Sequence, residues 1–144
     1  MRVYIVDASV AARFLLVEDL SEKAQLLLES FRDDIVELKA PVLLRYEIGN
    51  TLWKAARQKL ASPGEASEKF SRFMKLKLDS IELNEQECRD ALVWAVQNDA
   101  TYYDSVYVKT CEKTGATLVT ADDTLYKKAS GDIPTLHLRD LGTR

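Results

Sequence analysis

The sequence predicts an α/β fold with a mostly parallel central sheet covered on both faces by helices, in a single domain spanning residues 1–144. Three observations predict it. Short β-rich runs alternate with longer stretches whose apolar residues recur at helical spacing, the pattern of βαβ units. Several helical stretches begin with a recognisable cap. The chain of 144 residues, 47% of them hydrophobic, is long enough to bury one core of its own.

RVYIV at 2–6 is the first predicted strand. From Ser9 the run VAARFLLVEDL turns helical, and a second helix starts at SEKAQLLLESF with Ser21 as its N-cap. IVELKA (35–40) is the second strand. Pro41 after it is placed for the first turn of a helix through LLRYEIGNTLWKAARQKL. Ser62-Pro63-Gly64-Glu65 combines a capping box with proline at the first helical position. LKLDSIEL (76–83) is the third strand, and Asn84 with Glu87 caps the next helix. Thr101 to Asp104 opens another, closed by Gly115. ATLVT (116–120), a short helix over ADDTLYKKA and a last strand PTLHL (134–138) complete the chain.

Twenty basic and 23 acidic residues give a net charge of −3, which argues against a general polyanion binder but leaves room for locally placed cations. Cys88 and Cys111 form no CxxC pair and sit among apolar neighbours, as buried reduced thiols do. The start MRVYIVDAS lacks the apolar stretch of a signal peptide, and no apolar run approaches the ~18 residues that cross a bilayer. A soluble cytoplasmic protein is the expectation.

In open parallel sheets, sites form beyond the carboxyl ends of the strands, and acids fall there. Asp7 ends the first strand, Asp122 and Asp123 follow the fourth, and Asp104 lies in the first turn of the helix before it. Glu47 sits inside the largely apolar run LLRYEIGNTLW. Asp7, Asp104 and Asp122 also read as helix-capping residues. Glu47 is in no first turn, and a carboxylate on an apolar face needs a salt bridge or a metal to offset its desolvation. A divalent cation would reconcile all four, and oxygen ligands without His or Cys select Mg²⁺ or Mn²⁺. The chemistry such a site serves is phosphodiester hydrolysis. Ser9, Asn50 and Thr120 offer neutral oxygens or donors to hold the acids in place.

Other chemistries lack their residues. His137 is the one histidine, far in sequence from any nucleophile, and reads as structural. Neither GxGxxG nor GxxxxGK[ST] occurs. A receiver domain would need an acidic pair after the first strand, where Asp7 stands alone before Ala8.

VDAS (6–9), YEIGN (46–50), YYDS (102–105) and TADDTL (120–125) occur in that order across nearly the whole chain. Together they resemble the PIN-domain ribonucleases, in particular toxins of the VapC type. The resemblance implies a three-layer α/β/α sandwich, a metal-dependent endoribonuclease using Mg²⁺ or Mn²⁺, a small antitoxin as partner and a homodimer. It assigns Asp7, Glu47, Asp104 and Asp122 to the catalytic metal site, with Ser9, Asn50, Thr120 and Asp123 supporting. The T-x-D pattern favours Asp122 over Asp123 as the metal-facing carboxylate. The family also serves RNA processing and decay without an antitoxin, and a catalytically silent binding module would keep the same fold. Arg13, Arg45 and Lys54 are candidates to hold RNA phosphates, and Phe70, Phe73 and Met74 form a stripe suited to core packing or a partner.

Overall fold

A computed structural model describes residues 1–142, so the last two residues of the expected 1–144 domain lie outside the described residues. Five strands, β1 (Arg2–Val6), β2 (Val36–Pro41), β3 (Asp79–Ile81), β4 (Thr117–Thr120) and β5 (Thr135–His137), form one sheet in the order β3-β2-β1-β4-β5. Every neighbouring pair is parallel. Helices α1 (Ala8–Ala12), α2 (Ser21–Arg32), α3 (Leu43–Arg57), α4 (Pro63–Lys75), α5 (Glu85–Gln97), α6 (Tyr102–Thr114) and α7 (Asp123–Ala129) connect them. This is the predicted α/β architecture, with the parallel sheet flanked by helices. Ile5, Val6, Leu118 and Val119 on the central strands are fully buried and join Val10, Ile48 and Val108 in a continuous apolar cluster. Among the described residues no helix is long and apolar enough to cross a membrane.

Caps with local chemistry form as predicted. Ser62 with Glu65, and Asn84 with Glu87, each satisfy the other's backbone N–H in a capping box. Gly115 closes α6 at φ +72°, a conformation glycine adopts without steric cost.

Boundaries set by tertiary contacts differ from the sequence reading. The first helix stops at Ala12, because polar side chains fold the following segment back as a loop. Arg13 donates to the carbonyls of Ser9 (2.6 Å) and Asp19 (2.7 Å), and the Ser21 hydroxyl bonds the Leu16 carbonyl and the Glu18 N–H. Ser21 is therefore the first residue of α2 and not its N-cap, which is Leu20 in the left-handed region at φ 68°. Pro41 ends β2, in register with Ile81, and α3 begins only at Leu43. β3 is shorter than 76–83: Leu76 caps α4, and Lys77 turns the chain at φ 53° before the edge strand starts. After His137 the last strand gives way to a single 3-10 turn, Leu138–Asp140. Of the stripe on α4, Phe73 is buried, Phe70 is partly buried against the core and Met74 is exposed.

Candidate active site

The order of connections reverses between β1 and β4, and the crevice beyond the carboxyl ends of those two strands is the natural site of a parallel sheet. Val6 is in register with Val119, so Asp7 emerges beside Thr120. Asp7 is only 5% exposed. Its Oδ1 accepts from the Ser9 hydroxyl (2.6 Å) and, as the N-cap of α1, from the Val10 N–H (3.1 Å). Its Oδ2 accepts from the Thr120 hydroxyl at 2.5 Å. Ser9 Oγ in turn accepts from the Ala121 N–H (2.8 Å) and Thr120 Oγ1 from the Asp122 N–H (3.0 Å), tying the two strand ends together.

Burial pushes the Asp7 carboxyl up to about 6, against the pull of these hydrogen bonds, and the nearby Asp122 charge adds to the rise. Asp122 caps α7, its Oδ1 accepting from the Thr124 (2.8 Å) and Leu125 (3.1 Å) N–H groups. Asp104 stands in the first turn of α6, where its N–H donates to the N-cap hydroxyl of Thr101 (3.1 Å). Burial and then the Asp122 charge raise its pKa, partly offset by Thr101 and Lys128.

Glu47 lies one turn into α3, half-buried. The salt bridge that its apolar surroundings suggested is not what holds it: Glu47 Oε1 accepts from the Tyr107 hydroxyl at 2.5 Å. Its pKa is raised by burial first and by the Asp104 charge as well, with the Tyr107 bond pulling the other way. Tyr107 is buried, and desolvation followed by the Glu47 charge raises its phenol pKa, so it stays a donor. Sequence reasoning missed this residue. Its i+3 spacing from Asp104, which places both on one face of α6, was the available signal.

Charge interactions link Asp7, Glu47, Asp104 and Asp122 pairwise, as a chain and not as one tight cluster. Asp7 senses Asp122, Asp122 raises Asp104, and Asp104 raises Glu47. Among the described residues none of the four has a Lys or Arg within ion-pair distance. An all-oxygen donor set with no cationic side chain in ion-pair contact suits a hard divalent cation. The group is open: among the described residues no three His, Cys, Asp or Glu side chains are gathered closely enough to hold a metal ion.

Other candidates separate. Asp123 turns away from the acids; its Oδ1 accepts from His137 Nε2 (2.8 Å) and Arg139 (3.1 Å), which together hold its pKa down. His137 Nδ1 accepts the Arg139 N–H (3.1 Å), so the buried imidazole organises the end of β5. Lys54 and the exposed Asn50 line a cleft of about 410 Å³ with Ala8, Tyr46, Glu47 and Tyr103. Arg45 lies on a different groove, with Pro41, Met74 and Lys77. Arg13 is committed to the local carbonyls described above.

Comparison with known proteins places this geometry. The PIN domain family model matches residues 4–131. Ribonuclease VapC3 of Pyrobaculum aerophilum is 35% identical over 128 residues, covering 86% of this chain and 92% of that protein. The crystal structure of PAE2754 from Pyrobaculum aerophilum superposes with a TM-score of 0.74 at 26% identity, covering 97% of this chain and 93% of the other. The structure of VapBC2 from Rickettsia felis bound to a DNA fragment from their promoter shares the fold at a TM-score of 0.69 and 13% identity, over 94% of this chain and 98% of that one. With its strand order, its acids at the β1/β4 crevice and a family match over most of its length, the chain belongs to the PIN-domain family.

Proposed function

We propose that this protein is the toxin of a toxin–antitoxin pair and an endoribonuclease that hydrolyses RNA phosphodiester bonds with Mg²⁺ or Mn²⁺. The observation that carries the reading is the four linked carboxylates, without ion-pair partners among the described residues, toward the carboxyl ends of β1 and β4. The relative named a ribonuclease and the fold shared with a VapBC complex support it.

Asp7, Asp104, Asp122 and Glu47 are the residues that would hold the cation, once side-chain movement brings them closer than they stand in this structure. When bound, it supplies Lewis acidity to a phosphate oxygen and to water. The chain's own part is positioning. Ser9 and Thr120 fix both oxygens of Asp7, the α7 N–H groups orient Asp122, and Tyr107 aims Glu47. The antitoxin is the proposed protein partner, and the exposed Leu92, Val93 and Val96 on α5 offer an apolar face for a homodimer.

The test is incubation with a mixed RNA pool, with and without Mn²⁺, reading the cut ends. Cleavage should require the metal, stop with EDTA and disappear in Asp7→Asn and Asp104→Asn. Metal-independent cutting, or full activity in both variants, would overturn the reading.

A further inference from the structure

The start of α7 is held from two adjacent strands. On the β4 side the Asp122 N–H donates to Thr120 Oγ1 (3.0 Å), whose hydroxyl bonds Asp7. On the β5 side the next residue, Asp123, accepts from His137 Nε2 (2.8 Å) and from Arg139 (3.1 Å). His137 is in register with Thr120, so the two anchors stand side by side at the strand ends. The imidazole is 3% exposed and tied at both nitrogens. Its Nδ1 accepts the Arg139 N–H (3.1 Å), which leaves the ring proton on Nε2, facing Asp123. Tyr126 of α7 meets the ring edge-on, centroids 5.5 Å apart, and the Arg139 guanidinium lies 5.7 Å from the Tyr126 ring centroid. His137 thus joins the end of β5 to the first turn of the helix that carries Asp122.

We propose that His137 is a positioning residue for the acid site: through Asp123 it fixes the first turn of α7, and so the direction in which Asp122 presents its carboxylate. The inference rests on the metal-site reading and adds residues that need touch neither the cation nor the RNA. α7 has seven residues, too few to keep a fixed direction without partners. Asp122 Oδ1 is taken up by the Thr124 and Leu125 N–H groups, so the side chain turns with the helix start. Its other oxygen has no hydrogen-bond partner among the described residues and is the one free to meet a cation. Where that oxygen points is therefore set by the orientation of the first turn. Thr120 fixes that turn from one side and the Asp123–His137 bond from the other. Arg139 adds little to the second anchor, because its contact with Asp123 is exposed and exposed ion pairs are weak.

The test measures position apart from cleavage. Mn²⁺ affinity of the full chain is read by water-proton relaxation, and amide hydrogen exchange is followed at Thr124 and Leu125 in metal-free buffer. Asp123→Ala and His137→Phe should each weaken Mn²⁺ binding by roughly tenfold, the usual loss when the partner that orients a metal ligand is removed. Both should also speed exchange at the two amides. The double variant should be no worse than either single one, since the two residues act through one bond. Asp123→Asn keeps an acceptor, and His137→Gln keeps both a donor and an acceptor, so these two should retain affinity. Asp122→Asn keeps the capping oxygen and replaces the free one by an amide nitrogen; in that background Asp123→Ala should weaken Mn²⁺ binding no further. An equal loss in that background, or additive losses in the double variant, shows general loosening and overturns the proposal. Unchanged affinity in both single variants overturns it as well. A parent chain that shows this pattern but cuts no RNA overturns the nuclease reading and leaves the positioning role standing.

Discussion

Replacing Asp7 by Asn keeps the shape of the side chain and removes a charge whose burial is costly. The folded-state carboxyl titrates near 6 against an ordinary value of 3.8, a rise caused chiefly by desolvation. Because the folded state holds this proton more tightly than the unfolded chain, stability falls as pH rises through the window between about 4 and 6. At 1.36 kcal/mol per pH unit, the two-unit rise makes the ionised group cost about 3 kcal/mol above that window. In the Asp7→Asn variant the side-chain carbonyl can still accept from Ser9 and Val10, while the new amide faces Thr120 and reverses that bond at a loss of about 1 kcal/mol. Asp7→Asn should therefore be the more stable protein by about 2 kcal/mol at pH 7.5 in metal-free buffer. For a chain of this size that is a rise in Tm of roughly 4–8 °C. The advantage should vanish by pH 4, and RNA cleavage should be lost throughout. Thermal melts followed by circular dichroism at pH 4, 5, 6 and 7.5 measure it. A variant less stable at pH 7.5, or offset equally at every pH, would refute burial of an uncompensated charge as the cause.

Tyr107→Phe removes the donor to Glu47 with little change in volume. A hydrogen bond to a charged group contributes roughly 1.5–3 kcal/mol, so cleavage should fall about tenfold or more. Glu47, no longer favoured as the anion, should shift the acidic limb of the pH–rate profile upward. Leu118→Ala empties a fully buried position on β4 and should cost about 3–4 kcal/mol in chemical denaturation, within the usual range for such cavities. Ser62→Ala breaks the capping box of α4 and should cost about 1 kcal/mol with cleavage unchanged.

Much of this protein was legible in its sequence, for reasons of range. Caps act between residues two or three apart, so Ser62, Asn84, Thr101 and Gly115 announced their helix ends. Alternation of strand and helix patterns dictated parallel connections, and these placed Asp7, Asp104 and Asp122 toward one end of the sheet. Cap and site role coexist at Asp7 and Asp122, since a carboxylate that accepts backbone N–H bonds still carries its charge.

Tertiary structure decided whatever depended on partners distant in sequence. The Tyr107–Glu47 bond joins residues 60 apart, and the Thr120–Asp7 bond joins residues 113 apart; neither leaves a local pattern. Arg45 and Lys54 share a helix, yet only Lys54 borders the cleft with Glu47, because their positions face different neighbours. The same holds for the paired aspartates: consecutive residues at a helix start point apart, and His137 with Arg139 claims Asp123. Sequence determined which residues carry charge and which end of the sheet they reach. Only the packed fold determined how deeply Asp7 is buried, and hence how far its proton affinity departs from that of a free carboxylate.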